Sequence, residues 1–321
     1  MLLIGIDEAG YGPLLGPLVV AGAAFRVERR LEPADADAAG AIVREALAGP
    51  CRGPARLLVD DSKRVYGRGG LAALERAPLA LLASLAPAAL DSLDGLLRAA
   101  GSDPHPRRRV PWYAAEPPRF PLANPAPELR TEGCAAQERL AHAGAAFLGA
   151  VADVLPEGPL NASFERTGNK AETLFDASLG VADRLRGLRR DGEPVVVVFD
   201  RHGGRKRYGP HLQGHHPDGF VWTLGEADDV SAYRVQRAAG GYVAEFRVGA
   251  DAAVPPVALA SMLAKYLREL FMVLWNDWFA RLCPDVRPTA GYAEDGRRWL
   301  AESRTARIGA GIPDDALARV R

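Results

Sequence analysis

Asp7, Glu8 and Asp200 are residues with which this chain could do chemistry, because each is a carboxylate placed where an apolar run gives way to glycine-rich or polar sequence. Asp7 and Glu8 follow the run Leu2 to Ile6 and precede the turn material Gly10-Tyr11-Gly12-Pro13. A side chain at the end of a core strand projects from a rigid sheet into a cleft. Neighbours on a regular strand face opposite ways, so both acids can share one site only if the backbone bends after Asp7. Asp200 closes Val195-Val196-Val197-Val198-Phe199 and borders Arg201-His202-Gly203-Gly204. Singly, such acids read as turn or strand-ending residues. As a set they suit magnesium or manganese, which prefer oxygen ligands and, in paired sites ~3.5–4 Å apart, hold the attacking and leaving oxygens of a phosphodiester. The fourth place is open between Asp251, which otherwise reads as a helix-capping or loop residue, and the pair Asp228 and Asp229.

The elements that must position these acids follow from the apolar pattern. Leu2 to Ile6 and Leu18 to Phe25 read as a pair of core strands, and Val195 to Phe199, apolar on both faces, as the centre of a covered sheet. Tyr242 to Val248 alternates and predicts a further strand. Leu71 to Ala100 predicts two or three short helices broken at Pro78 and Pro87, while Glu132 to Val154 and Lys170 to Arg189 carry apolar residues at helical intervals. The strongest helix spans Val257 to Leu282, and its stripe of Leu263, Leu267, Leu270, Phe271, Leu274, Trp275 and Trp278 reads as core. Prolines accumulate from Ser102 to Pro127 with no apolar period, which predicts an irregular loop or inserted arm. Its run Arg107-Arg108-Arg109 beside Trp112 and Tyr113 reads as solvated surface charge; the other reading is a grip on phosphates with a stacked base. Strands alternating with helices point to a mixed α/β protein.

With 321 residues and 48% hydrophobic content, the chain can bury a large core. Forty basic residues balance forty acidic ones, so the overall charge advertises no basic face. Phosphates respond to where charge sits, and an acidic metal site would offset basic residues elsewhere. Cys51, Cys134 and Cys283 are too scattered for a disulfide framework or a zinc site, and a reducing cytoplasm is the expected location. Asp7 and Glu8 interrupt the opening apolar run, and Pro13 to Phe25 falls short of the ~20 residues a membrane helix needs. Neither export nor a membrane span is expected.

Gly5-Ile6-Asp7-Glu8-Ala9-Gly10-Tyr11-Gly12-Pro13-Leu14-Leu15-Gly16-Pro17-Leu18-Val19-Val20 closely resembles the N-terminal motif of the type 2 ribonucleases H, ribonuclease HII and its relative ribonuclease HIII. Asp61-Ser62-Lys63 looks like that family's Asp-Ser-Lys motif, and Asp200 ends a Val-rich strand as its third acid does. Ala250-Asp251-Ala252, followed by Val257-Ala258-Leu259-Ala260-Ser261 and Ala264-Lys265-Tyr266-Leu267-Arg268-Glu269, is similar to the segment carrying the fourth acid, which selects Asp251 over Asp228 and Asp229. Gly291-Tyr292 resembles the family's Gly-Tyr pair.

The resemblance implies one ribonuclease H-like catalytic unit over residues 1–321: a mixed five-stranded sheet flanked by helices, an insertion at about 101–131 and a helical C-terminal part at about 257–321. It implies metal-dependent cleavage of the RNA strand of RNA/DNA hybrids, leaving 3′-hydroxyl and 5′-phosphate ends, with Asp7, Glu8, Asp200 and Asp251 holding two Mg²⁺ or Mn²⁺ ions. Gly10, Tyr11 and Gly12 would read the ribose 2′-hydroxyl through their backbone, and Tyr292 would pack on the adjoining DNA sugar. Ser261 joins the substrate side through its ten-residue step from Asp251, and Lys63 and Lys265 are phosphate contacts, carboxylate partners or ordinary helix residues. The partner expected is a hybrid or a ribonucleotide-containing duplex, bound by a monomer away from any membrane. Three features depart from the family: Tyr11 stands where ribonuclease HII has arginine, Glu294-Asp295-Gly296 where a histidine is frequent, and the Pro-rich arm has no counterpart. The alternatives are a non-catalytic hybrid-binding paralogue and a nuclease of the same fold acting on other structures, such as branched DNA.

Overall fold

Seven strands form one mixed sheet: β1 (Leu2–Ala9), β2 (Leu18–Val27), β3 (Ala145–Leu155), β4 (Val195–Asp200), β5 (Phe220–Glu226), β6 (Val230–Gln236) and β7 (Tyr242–Arg247), in the order β3-β2-β1-β4-β7-β6-β5. The computed structural model describes residues 1–28, 35–48, 56–238 and 240–319, so Cys51 lies outside the described residues. β1 runs antiparallel to β2 and parallel to β4, β4 runs parallel to β7, and the outer pairings are antiparallel. The mixed α/β class is as the pattern predicts. The expected five strands are corrected to seven, because β5 and β6 add an antiparallel hairpin at one edge.

The helices are α1 (Ala36–Ala48), α2 (Ser62–Leu85), α3 (Leu93–Ala99), α4 (His105–Arg108), α5 (Ala126–His142), α6 (Glu157–Thr167), α7 (Lys170–Arg186), α8 (Gly209–His215), α9 (Ala250–Ala253), α10 (Pro255–Leu282) and α11 (Ala293–Gly309). Period-two alternation gives each central strand two apolar faces. Leu3, Val196 and Val198 face the α10 side, with Leu263, Leu267 and Trp275, while Leu2, Ile4, Val197 and Phe199 face α7, with Leu174, Phe175 and Leu179. Gly5 lets α10 seat directly on β1: a Cβ there would stand 2.1 Å from the Val257 nitrogen and 2.2 Å from the Pro256 carbonyl carbon. No helix among the described residues is long and apolar enough to cross a membrane.

Three local readings change. The helical interval read over Glu132 to Val154 is a helix only as far as His142; Gly144, at φ +70, turns the chain, and β3 pairs with β2 along its length. The alanines of β3 carry little strand propensity, and pairing on β2 overrides it. Pro78 does not end α2, which passes through it and kinks instead at Gly69 and Gly70. The Pro-rich arm is folded inward. The Arg107 guanidinium is buried against Asp94 and Glu116 and donates to the Tyr113 carbonyl at 2.7 Å, while Trp112 and Tyr113 pack on Trp275 and Phe271. Arg107, Trp112 and Tyr113 are therefore neither a solvated run nor a phosphate grip, though Arg108 remains largely exposed beside Asp94.

Candidate metal centre

The parallel register of β1 and β4 stops at Ile6 opposite Phe199, so Asp7, Glu8 and Asp200 lie just where the two strands part. Leu3 pairs with Val196 and Gly5 with Val198 on the α10 side, and by alternation Asp7 and Asp200 open on that side too. β1 does not bend after Asp7; it stays paired with β2 as far as Ala9 opposite Val19. Glu8 reaches the same cleft because its edge of β1 has no β4 partner there. Asp251 arrives on α9, whose Ala250 amide donates to Asp200 Oδ1 at 2.9 Å.

Asp7, Glu8, Asp200 and Asp251 line one open cleft of about 400 Å³ with Gly10, Tyr11, Gly12, Lys63, Ser261, Lys265 and Tyr292, so every residue the motifs single out is brought together. Asp228 and Asp229 are not among them: they sit in the β5–β6 turn, with Asp228 paired to Lys206. Asp61 caps α2 by accepting from the Lys63 amide at 2.7 Å, which sets Ser62 against Ser261, Oγ to Oγ 2.9 Å, and Lys63 on the cleft. Lys265 Nζ is 3.3 Å from Glu269 and 4.7 Å from the Tyr66 ring centre.

Carboxylates this crowded cannot all ionise easily. Burial, then the charges of Glu8 and Asp200, push Asp7 well above the usual carboxylate range, with Ser261 offsetting in part. Burial and Asp200 raise Glu8 to about 7, and burial raises Asp200 to about 6. Asp251 is also raised, by burial and then by Asp61. Lys63 is a countercharge felt by Glu8, Asp200 and Asp251, yet it leaves all three raised. An oxygen-rich site short of positive charge fits hard divalent cations. Among the described residues, a tighter group, with ligand atoms within 4.8 Å of one another, is Asp183, His215 and His216. It packs on the α7 side of the sheet, and Arg186 and Arg237 already pair with Asp183, so two guanidiniums oppose a cation there. The acid cleft, with four carboxylates and no guanidinium paired to them among the described residues, is the better match to a hard divalent cation.

Two arginines at the cleft were not foreseen. Arg268 lies two turns beyond Ser261 and one beyond Lys265 on α10, and that spacing was the available signal. It is buried, donates to the Ala290 carbonyl at 2.8 Å, lies 5.2 Å from the Tyr292 ring centre, and its Nε and Nη1 have no hydrogen-bond partner. Arg319 offered no signal, being an isolated arginine after a polar helix. Its Nε donates to the Gly16 carbonyl at 2.8 Å, its Nη1 to the Gly10 carbonyl, and its amide to the Leu14 carbonyl at 3.0 Å. Gly10 (φ +88) and Gly16 (φ +86) need glycine's freedom, and Leu14 and Leu15 amides both donate to the Gly291 carbonyl. The glycine turn is thus clamped from the C-terminal segment and stitched to the loop that presents Tyr292 at the start of α11. Arg319→Ala is expected to loosen the turn and lower any activity of the cleft about tenfold or more, the effect of losing charge-assisted bonds. Lysine, without the planar fork, should restore little of it. Unchanged turnover in a correctly folded Arg319→Ala protein would remove the clamp from the account.

Sheet order and cleft together define a mixed α/β protein with an acidic, cation-suited pocket where its central strands end. The family model of ribonuclease HII matches residues 4–35, the segment that carries Asp7, Glu8 and the glycine turn. Over that segment the chain is similar to ribonuclease HII. Among solved structures, ribonuclease HII of Archaeoglobus fulgidus, determined in complex with PCNA, is 18% identical with a TM-score of 0.44, covering 100% of this chain and 95% of that one. Bst ribonuclease HIII with Mn²⁺ is 16% identical with a TM-score of 0.46, covering 100% of this chain and 66% of its own. Ribonuclease H2 from Pyrococcus horikoshii OT3 is 14% identical with a TM-score of 0.42, covering 99% and 92%. No curated protein matches the chain.

Proposed function

We propose that the chain is a metal-dependent endonuclease that cuts the RNA strand of RNA/DNA hybrids, leaving 5′-phosphate and 3′-hydroxyl ends. The observation that carries this reading is the gathering of Asp7, Glu8, Asp200 and Asp251, under-compensated and partly buried, in one cleft beside the glycine turn. Asp7, Glu8, Asp200 and Asp251 would hold two Mg²⁺ or Mn²⁺ ions, which when bound supply an activated water and charge stabilisation at the leaving 3′-oxygen. Asp7, the most enclosed of the four, would be the ligand best shielded from water. The turn at Gly10, Tyr11 and Gly12 presents backbone to a ribose 2′-hydroxyl, the group that separates RNA from DNA at the cut sugar. Arg268, buried between the acids and Tyr292 with Nη1 3.7 Å from Glu269, adds positive charge at the wall of the cleft where a phosphate would lie. Where ribonuclease HII has arginine in the turn, Lys170 Nζ stands 4.6 Å from the Tyr11 ring centre and keeps a cation at that edge.

Purified protein should cleave a labelled hybrid in the presence of Mg²⁺ or Mn²⁺, and a duplex with one embedded ribonucleotide should be compared side by side. Both substrates left intact with either metal would sink the nuclease reading, and faster cutting of an all-DNA junction would move it to another substrate class.

A further inference from the structure

The sheet face that carries Asp7 and Asp200 continues outward past the cleft. Val196 of β4 lies beside Val243 of β7, Val243 beside Arg234 of β6, and Arg234 beside Trp222 of β5; Gln236 lies beside Phe220. By alternation these residues share the face of Asp200, whereas Tyr233 and Val235 turn to the α7 side and are buried there. At the sheet edge that face is bare: Phe220 is 70% and Trp222 48% exposed, with ring centres 5.8 Å apart, and Leu224 beside them is exposed as well. Arg234 and Gln236 are exposed too, above a recess of about 360 Å³ floored by Val243 and Pro194.

Two aromatic rings on the edge strand of a sheet are an aggregation hazard unless something covers them. The chemistry of the patch selects the occupant. Bases of a single strand stack on aromatic rings displayed by a sheet, and a neighbouring guanidinium meets their phosphates. The basic residues of the nearby loop are engaged, Arg205 with Glu172, Lys206 with Asp228 and Arg207 with Glu226, whereas Arg234 makes no ion pair among the described residues. A second copy of the chain fits less well, because a two-fold contact through this patch would bring Arg234 towards its own copy. Trp222 is in register with Val196, four residues from Asp200 and three strands away, which places it about 20 Å from the acids on strand spacing.

We propose that Phe220, Trp222 and Arg234 form a platform for a single-stranded extension of the nucleic acid whose duplex part occupies the acidic cleft. This rests on the nuclease reading for the position of the duplex, and on the patch itself for the strand. Binding is measured without divalent metal by fluorescence anisotropy, using a blunt hybrid, the same hybrid with a ten-nucleotide single-stranded DNA tail at either end, and the tail alone. The tailed hybrid should bind the native protein about tenfold more tightly than the blunt one, the effect of one or two stacked bases. The Phe220→Ala/Trp222→Ala protein, both positions being at the surface, should bring that ratio to about one, and Arg234→Gln should lower it and flatten its salt dependence. Equal affinity of the native protein for blunt and tailed hybrids overturns the proposal. So does a native dimer, seen by sedimentation, that the double substitution dissociates. Hybrid cleavage without any tail effect removes the platform alone, whereas tail binding in a protein that cuts no hybrid removes the nuclease reading and leaves the platform.

Discussion

Asp200→Asn is expected to abolish most hybrid cleavage and, at the same time, to stabilise the metal-free protein. Removing one carboxylate from the proposed ligand set should cost about a thousandfold in rate, or roughly 4 kcal/mol of transition-state stabilisation. The opposite sign on stability follows from the raised acids. Glu8 titrates at about 7 and Asp200 at about 6 in the folded chain, each held up first by burial. Between the ordinary carboxylate range and these values the folded state binds more protons than the unfolded one, so stability falls as pH rises through that window. Above about pH 8 the strain from Glu8 and Asp200 is fully present, and neutralising Asp200 should then return about 2 kcal/mol, with little gain near pH 4. Added Mg²⁺ should raise the unfolding midpoint of the native protein more than that of the variant. A variant that is inactive and also destabilised at pH 8 would mean that Asp200 is structural.

Gly5→Ala is expected to damage fold and cleft together, although residue 5 is two positions short of the first acid. Its Cβ would meet only backbone, 2.1 Å from the Val257 nitrogen and 2.7 Å from the Pro256 carbonyl oxygen, and backbone cannot swing aside as a side-chain tip can. α10 must lift from β1, at an expected loss of about 3 kcal/mol in unfolding free energy. Because Ser261 rides on that helix and α9 directly precedes it, metal affinity should fall as well. Urea unfolding would show it, and a loss under about 1 kcal/mol would contradict the close seating.

What could be read in advance divides along physical lines. The runs ending at Asp7 and Asp200 were legible as strands because both faces of a central strand are apolar, and α10 because its apolar face is broad. The hairpin of β5 and β6 was missed since β5 is exposed along nearly all its length and shows no buried alternation. β3 hid behind alanines that suit a helix equally well. The arm misled for another reason: Arg107 looks like surface charge until Asp94 and Glu116, from outside the arginine run, are brought to it. The shared cleft of Glu8 and Asp7 required no bend, only the parting of β1 from β4, which depends on a pairing that lies 193 residues away in the chain and so leaves no local mark.

If the cleft is a metal centre, its four carboxylates act as one cation site. Calorimetric titration of Mn²⁺ into the native protein at pH 6.5, repeated in two buffers of different ionisation enthalpy, tests this directly. Occupied ligands must be deprotonated, so binding should release protons from the raised acids, tighten as pH rises towards 8, and be lost or greatly weakened in Asp7→Asn and Asp200→Asn. Mn²⁺ binding of equal strength in native and substituted proteins, or uptake with no proton released, would show that the cation is held elsewhere.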